Sequence, residues 1–193
     1  HGALLSRPRS SQYTRYLTGF QCPTNQGTWV KILGITGYSG SGKTTLMTQL
    51  IARLVASGLD VAAIKHTHHD LDWDTLGRDS WRHRQAGARQ VLLAAAERRM
   101  LVETLPAAND VALADHLARL APCDLVLVEG YKHEAIPKLE VRDPALNAPR
   151  LYPNDPCVIA LICDTPESGC LLPRYARDDL AGIEQLIRRD ILV

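Results

Sequence analysis

The sequence lacks the marks of a membrane protein, a secreted disulfide scaffold or a general nucleic-acid binder. Its longest uninterrupted apolar run is Cys157 to Cys163, too short to cross a bilayer as a helix. No stretch combines a charged start, an apolar middle and a small-residue cleavage site, so no secretory leader is expected. Basic residues number 22 and acidic residues 21, leaving a formal net charge of +1. That balance excludes a global basic field for nucleic acid or an anionic membrane, so any anion site has to be built locally. The cysteines number 5, an odd count, and none are paired as Cys-x-x-Cys. Cys123, Cys157 and Cys163 lie in or beside apolar segments, where a thiol behaves as a small hydrophobe. Reduced thiols in a cytoplasmic protein are therefore expected, and no zinc framework is supported. Internal repeats and low-complexity tracts are missing too.

What is present is a βα alternation. A chain of 193 residues, 46% apolar and 22% charged, suits one domain with a full core. Residues 1–29 are rich in Ser, Arg, Gln, Thr and Tyr without a sustained period, and the chain begins at His1. They are set apart as an N-terminal arm or appended segment, and residues 30–193 as the nucleotide-binding domain. Val30 to Thr36 reads as a buried strand. Thr44 to Ser57 reads as a helix with Leu46, Met47, Leu50, Ile51, Leu54 and Val55 at helical spacing, stopped by Gly58. Further strands are expected at 61–64, 125–128, 138–142 and 158–162. Residues 90–96 and 99–103 read as two adjacent strands with a tight turn at Glu97 and Arg98, although the alanines there could equally support a helix. Helices are expected at 79–86, at 110–121 (capped by Asp110 or Asn109 and stopped by Pro122) and at 179–192. Apolar strands alternating with helices predict an α/β fold, a mainly parallel sheet with helices on both faces, of P-loop NTPase type. Ligands in such sheets bind beyond the carboxyl ends of the strands. The loops opening at 37, 65, 129 and 163 should therefore converge on one edge.

Gly37-Tyr-Ser-Gly-Ser-Gly-Lys-Thr44 matches the phosphate-loop pattern, between a strand and a helix where that pattern has chemical meaning. Glycines allow the turns that aim consecutive N–H groups inward, and the helix start adds its positive end. Gly37, Ser39, Gly40, Ser41, Gly42, Lys43, Thr44 and Thr45 form the expected nucleotide-binding set. Lys43 supplies a point charge for the β- and γ-phosphates, Thr44 a ligand for Mg²⁺, and Thr45 a contact to the α-phosphate. Leu125 to Val128 runs into Glu129-Gly130, which places Glu129 at a strand end facing the phosphates, as the catalytic or magnesium-handling carboxylate. Asp124, at the opposite end, reads as a turn or cap residue.

Lys65, His66, His68, His69 and Asp70 follow the second strand. The lysine and histidines read as anion donors and Asp70 as a water or metal partner, with a solvated loop or a transition-metal site as alternatives. Arg78 and Arg82, which flank or lie on the next short helix, are four apart, share a face and could hold a second phosphorylated ligand, against solvated surface charge. The Asn-Lys-x-Asp motif of many GTP-binding proteins is missing, and Asp164 after a later strand is the candidate for guanine N1 and N2, against a plain turn or cap.

Three segments together carry a family resemblance: the phosphate loop, Ile-Lys-His-Thr-His-His-Asp at 64–70, and Asp-Leu-Val-Leu-Val-Glu-Gly-Tyr-Lys at 124–132. Over residues 30–193 the chain resembles the MobB-type molybdopterin-guanine dinucleotide biosynthesis adaptor proteins. The resemblance implies a homodimeric GTP-binding protein with weak GTPase activity, using GTP and Mg²⁺. It also implies action beside the molybdopterin guanylyltransferase that attaches GMP, with a molybdopterin-type ligand nearby. The 90–103 hairpin is the expected dimer edge. Two other functions compete: a small-molecule kinase whose lid uses the 78–89 arginines, and a metal-delivery GTPase using His66, His68 and His69.

Overall fold

The structure is a computed structural model that describes residues 21–23, 29–67, 76–105 and 111–193. In chain order the elements are β1 (Gln21–Pro23), β2 (Trp29–Thr36), α1 (Lys43–Ala56), β3 (Val61–Lys65), α2 (Asp79–Gln85), β4 (Gln90–Ala94) and β5 (Arg99–Glu103). Then follow α3 (Leu113–Leu117), β6 (Leu125–Glu129), β7 (Lys138–Val141), a 3-10 turn (Pro144–Leu146), β8 (Val158–Ile162), β9 (Arg174–Tyr175) and α4 (Leu180–Asp190). Contacts divide the chain into two compact units, one within His1–His66 and Ala112–Val193, the other within Thr67–Val111.

The first unit is built on a sheet ordered β3-β6-β2-β7-β8-β9, every neighbouring pair parallel. Parallel strands buried on both faces read as unbroken apolar runs, and Leu125 to Val128 of β6 is fully buried. Along β2 the side chains alternate. Leu33 and Ile35 face a core with Leu46, Leu50 and Leu54 of α1 and Ile183, Leu186 and Ile187 of α4. Val30 and Ile32 face the other side, with Val126, Val128 and Leu113 and Leu117 of α3. Helices thus cover both faces, as the alternation of short strands and amphipathic helices predicts. β1 pairs antiparallel with β2. Lys31 is matched by Gln21 of β1 and by Leu125 of β6, so β1 occupies the flank of β2 opposite β6, the flank β7 takes from Gly34 onward.

Most expected elements are found within two residues of their anticipated ends. The helix expected over 110–121 is much shorter, Leu113–Leu117. Arg119 and Leu120 donate three residues back, to His116 and Leu117, so the last turn tightens before Pro122. Asn109 and Asp110, its anticipated caps, lie outside the described residues. α4 is capped by the Asp179 carboxylate, which accepts the Gly182 N–H at 2.9 Å. β1 and β9, of 3 and 2 residues, were not expected, because so short a run carries no readable period.

The second unit holds α2 and the β4–β5 hairpin. Leu92 pairs with Leu101 and Leu93 with Met100. All four are exposed, at 58%, 52%, 39% and 39% respectively.

Candidate functional site

Because the strands of the main sheet are parallel, the chain leaves β2, β3, β6, β7, β8 and β9 at one edge. The loop from β2 to α1 turns through left-handed glycines, with φ of 80° at Gly40 and 95° at Gly42. Gly42 is also the residue from which α1 starts, and its carbonyl accepts the first helical bond from the Leu46 N–H at 3.0 Å. Gly37 has a second reason to be glycine: a Cβ there would collide with the Val141 carbonyl oxygen. No acidic residue lies in the first turn of α1 and no side chain caps it. Its amino-terminal N–H groups and positive dipole end are thus available to an anion.

The Lys43 ammonium arches back over the loop and donates to the Tyr38 carbonyl at 2.8 Å. Burial pulls its pKa below the ordinary lysine value, the Glu129 carboxylate opposes that, and the Lys65 ammonium adds to it. Glu129, 7% exposed, ends β6 in register with Ile35 of β2 and Lys65 of β3. The Thr44 hydroxyl donates to Glu129 Oε1 at 2.8 Å. Lys65 Nζ lies 3.4 Å from both Thr44 Oγ1 and Glu129 Oε1. Thr44, Glu129 and Lys65 therefore meet at one point, with the Lys43 ammonium near enough to feel the charges of Glu129 and Lys65. A hydroxyl and a carboxylate oxygen side by side are hard donors, which fit Mg²⁺. Beside them, the His66 N–H donates to the Glu129 carbonyl at 2.9 Å, and its ring lies 4.6 Å from that of Tyr131.

The other expected residues are dispersed. Ser39, Gly40 and Thr45 are exposed on or just after the loop, whereas Ser41 is buried and its Oγ finds no hydrogen-bond partner among the described residues. His68, His69 and Asp70 lie outside the described residues. Arg78 and Arg82 are exposed in the second unit, at and on the start of α2. Asp124 accepts the Asp60 N–H at 2.8 Å, at the far end of β6, as a turn residue should. Among the described residues no three His, Cys, Asp or Glu group to hold a metal, and no helix is long and apolar enough to cross a membrane.

Asp164 follows β8, and its carboxylate is engaged. Oδ1 accepts the Arg177 N–H at 2.8 Å and Oδ2 accepts Arg177 Nε at 2.7 Å. These bonds, the backbone one foremost, hold its carboxyl below the ordinary range. Arg177 was missed in the sequence because it follows β9, a two-residue strand. Two buried charges on β7 were also missed. Lys138 donates to Asp155 Oδ2 at 2.6 Å and to the Lys132 carbonyl at 2.9 Å. Glu140 accepts the N–H groups of Leu151 and Tyr152 at 3.0 and 2.8 Å. They fasten the 142–157 segment beside the phosphate loop, and the charged letters of Lys-Leu-Glu-Val inside an interior strand were the available signal.

A strand, a glycine loop with lysine at the following helix start, and an acid closing the neighbouring parallel strand define the P-loop class of nucleotide-binding folds. Residues 32–164 match the family model described as molybdopterin guanine dinucleotide synthesis protein B, MobB. The chain belongs to that family. It is 44% identical over 140 residues to the molybdopterin-guanine dinucleotide biosynthesis adapter protein of Haemophilus influenzae, covering 71% of this chain and 76% of that one. Its Escherichia coli counterpart is 41% identical over 142 residues, with coverage of 72% and 81%. A crystal structure of a MobB homolog from Bacillus stearothermophilus superposes with a TM-score of 0.61 at 26% identity, covering 82% of this chain and 98% of that one. Bacillus subtilis MobB, at 24% identity and a TM-score of 0.64 over 82% and 97% of the two chains, shares the fold.

Proposed function

We propose that this protein is a cytoplasmic GTP-binding adaptor with weak GTPase activity in molybdopterin-guanine dinucleotide synthesis. It would work beside the guanylyltransferase that transfers GMP to molybdenum-bound molybdopterin. Family membership supports the pathway. The observation that carries the chemistry is the meeting of Thr44, Glu129 and Lys65 at the amino-terminal end of α1, with the Lys43 ammonium folded over the loop onto the Tyr38 carbonyl. The loop N–H groups and Lys43 hold the β- and γ-phosphates, while Thr44 and Glu129 hold Mg²⁺. Bound there, the ion would neutralise phosphate charge as the bond to the terminal phosphate breaks. Glu129 is already engaged by Thr44 and Lys65 and is poorly placed to take a proton from water, which supports slow turnover.

His66, beside Glu129, suits a second anionic ligand of molybdopterin type. Arg78 and Arg82, exposed in the second unit, are by themselves suited to a phosphorylated ligand. The exposed leucines and Met100 of the β4–β5 hairpin suit burial against a second copy in a homodimer. Calorimetric titration with GTP and ATP, each with Mg²⁺, tests the nucleotide. Binding of GTP tighter than ATP is expected, and binding of neither would refute the reading. Co-purification of the guanylyltransferase tests the pathway, and rapid phosphoryl transfer to an added small-molecule acceptor would favour a kinase instead.

A further inference from the structure

The carboxyl ends of β7, β8 and β9 contribute Asp143, Asp164 and Arg177 to one cluster. Arg177 is gripped twice by Asp164, through its N–H and its Nε, and its Nη1 stands 3.6 Å from Asp143 Oδ2. That same Nη1 ends 3.7 Å from the point where a Cβ on Gly42 would stand, so the guanidinium lies against the phosphate loop. Nη2 makes no hydrogen bond with the described residues. An arginine beside a phosphate loop invites the idea of a phosphate ligand, but the charges oppose it. Two carboxylates and one guanidinium sum to −1, which repels a phosphate and leaves a neutral hydrogen-bonding group as the fitting ligand.

The sheet order says which part of a nucleotide that group is. Lys65 and Glu129 end β3 and β6, on one side of β2, whereas Asp164 and Arg177 follow β8 and β9 on the other. With the terminal phosphates at Lys43, Thr44 and Glu129, the nucleoside extends to the opposite side. We propose that Arg177 and Asp164 act as one base-reading pair selecting guanine. Arg177 donates to O6, and Asp164 accepts from N1–H and the 2-amino group with lone pairs that Arg177 leaves unused. Adenine presents the reverse pattern, an amino donor toward the guanidinium and a ring acceptor toward the carboxylate. Arg177 is then a specificity-determining residue, and Asp143 helps to orient it. This rests on the GTP-binding reading of the same loop.

The test titrates the full chain, in Mg²⁺, with GDP, ADP and XDP. Arg177→Ala should weaken GDP by on the order of tenfold or more and leave ADP unchanged. Asp164→Asn, which gives up the Arg177 Nε bond because an amide nitrogen cannot accept it, should weaken GDP and tighten XDP, because that amide can donate to the carbonyl that xanthine carries in place of the 2-amino group. Such a gain cannot come from misfolding. Equal loss of GDP and ADP in Arg177→Ala would overturn the proposal in favour of a phosphate role. Unchanged GDP affinity in that variant, or no gain of XDP in Asp164→Asn, would overturn it as well. If the parent binds neither GDP nor ADP, nucleotide binding itself fails and the proposal with it. If the parent binds both equally, only base selection fails.

Discussion

Replacing Glu129 by Gln separates the proposed magnesium site from the proposed phosphate site. The fold should tolerate the change. Gln keeps an oxygen for the Thr44 hydroxyl, which now donates at 2.8 Å. The attractions lost are to the Lys43 ammonium and to Lys65, whose side chain is 59% exposed at 3.4 Å, so that the Lys65 pair is worth about 0–1 kcal/mol after solvent screening. Burying a neutral amide where a carboxylate stood offsets part of that. The ligand-free protein should therefore melt close to the parent. The effect on Mg²⁺ is larger. One unit charge about 4 Å from a divalent ion is worth about 2 kcal/mol in water, twice the figure for two unit charges, and more at the dielectric of a protein surface. The gain in nucleotide affinity that Mg²⁺ brings should shrink by roughly thirtyfold or more. In EDTA the sign reverses: a negative charge beside the phosphates is gone, so nucleotide binding should hold or improve. Calorimetric titration of GTP into both proteins, with Mg²⁺ and with EDTA, measures all four affinities. An equal Mg²⁺-dependent gain in the two proteins would refute the assignment of Glu129. So would a loss of affinity in EDTA as large as the loss in Mg²⁺.

Lys43→Ala should lower nucleotide affinity by about 10- to 100-fold, the worth of a charge-assisted bond, with the melting curve unchanged, because the bond it gives up is to a loop carbonyl. Lys138→Met should destabilise the fold by about 3 kcal/mol in urea titration, since it strands Asp155, 23% exposed, and the Lys132 carbonyl. Recovery should follow when Asp155→Leu is added, and a neutral single variant would show the pair to be worth nothing. Ser41→Ala should raise stability by up to about 1 kcal/mol, because its buried hydroxyl has no partner among the described residues to lose. Measured destabilisation would mean that the hydroxyl is satisfied in solution.

Much of this architecture was legible wherever a residue's role is local or periodic. The phosphate loop could be read because glycine spacing and the Lys-Thr pair dictate backbone shape and charge within eight residues. Glu129 could be read because an unbroken apolar strand ends on it. The alternation along β2 and the helical spacing in α1 gave both faces of the core. What stayed hidden depends on contacts between distant segments. Asp164 is a candidate by its position after a strand, yet its companion comes from residue 177, thirteen positions on. Lys138 and Glu140 look like surface residues until their partners at 155, 151 and 152 fold back over them. The helix expected over 110–121 was overdrawn because an apolar period continues in the letters after the backbone has begun to tighten ahead of Pro122.

The strand that carries the phosphate loop is paired on both flanks over most of its length. β6 runs along one flank, and β1 and β7 divide the other, the first closing it up to Lys31 and the second from Gly34. Residues 21–23 thus work as a bolt across the head of β2. Clipping them away would bare the main-chain groups of residues 29–31, the kind of naked border on which strands of other chains accrete. Proteolytic trimming there would seed insoluble aggregates without altering a residue of the phosphate loop.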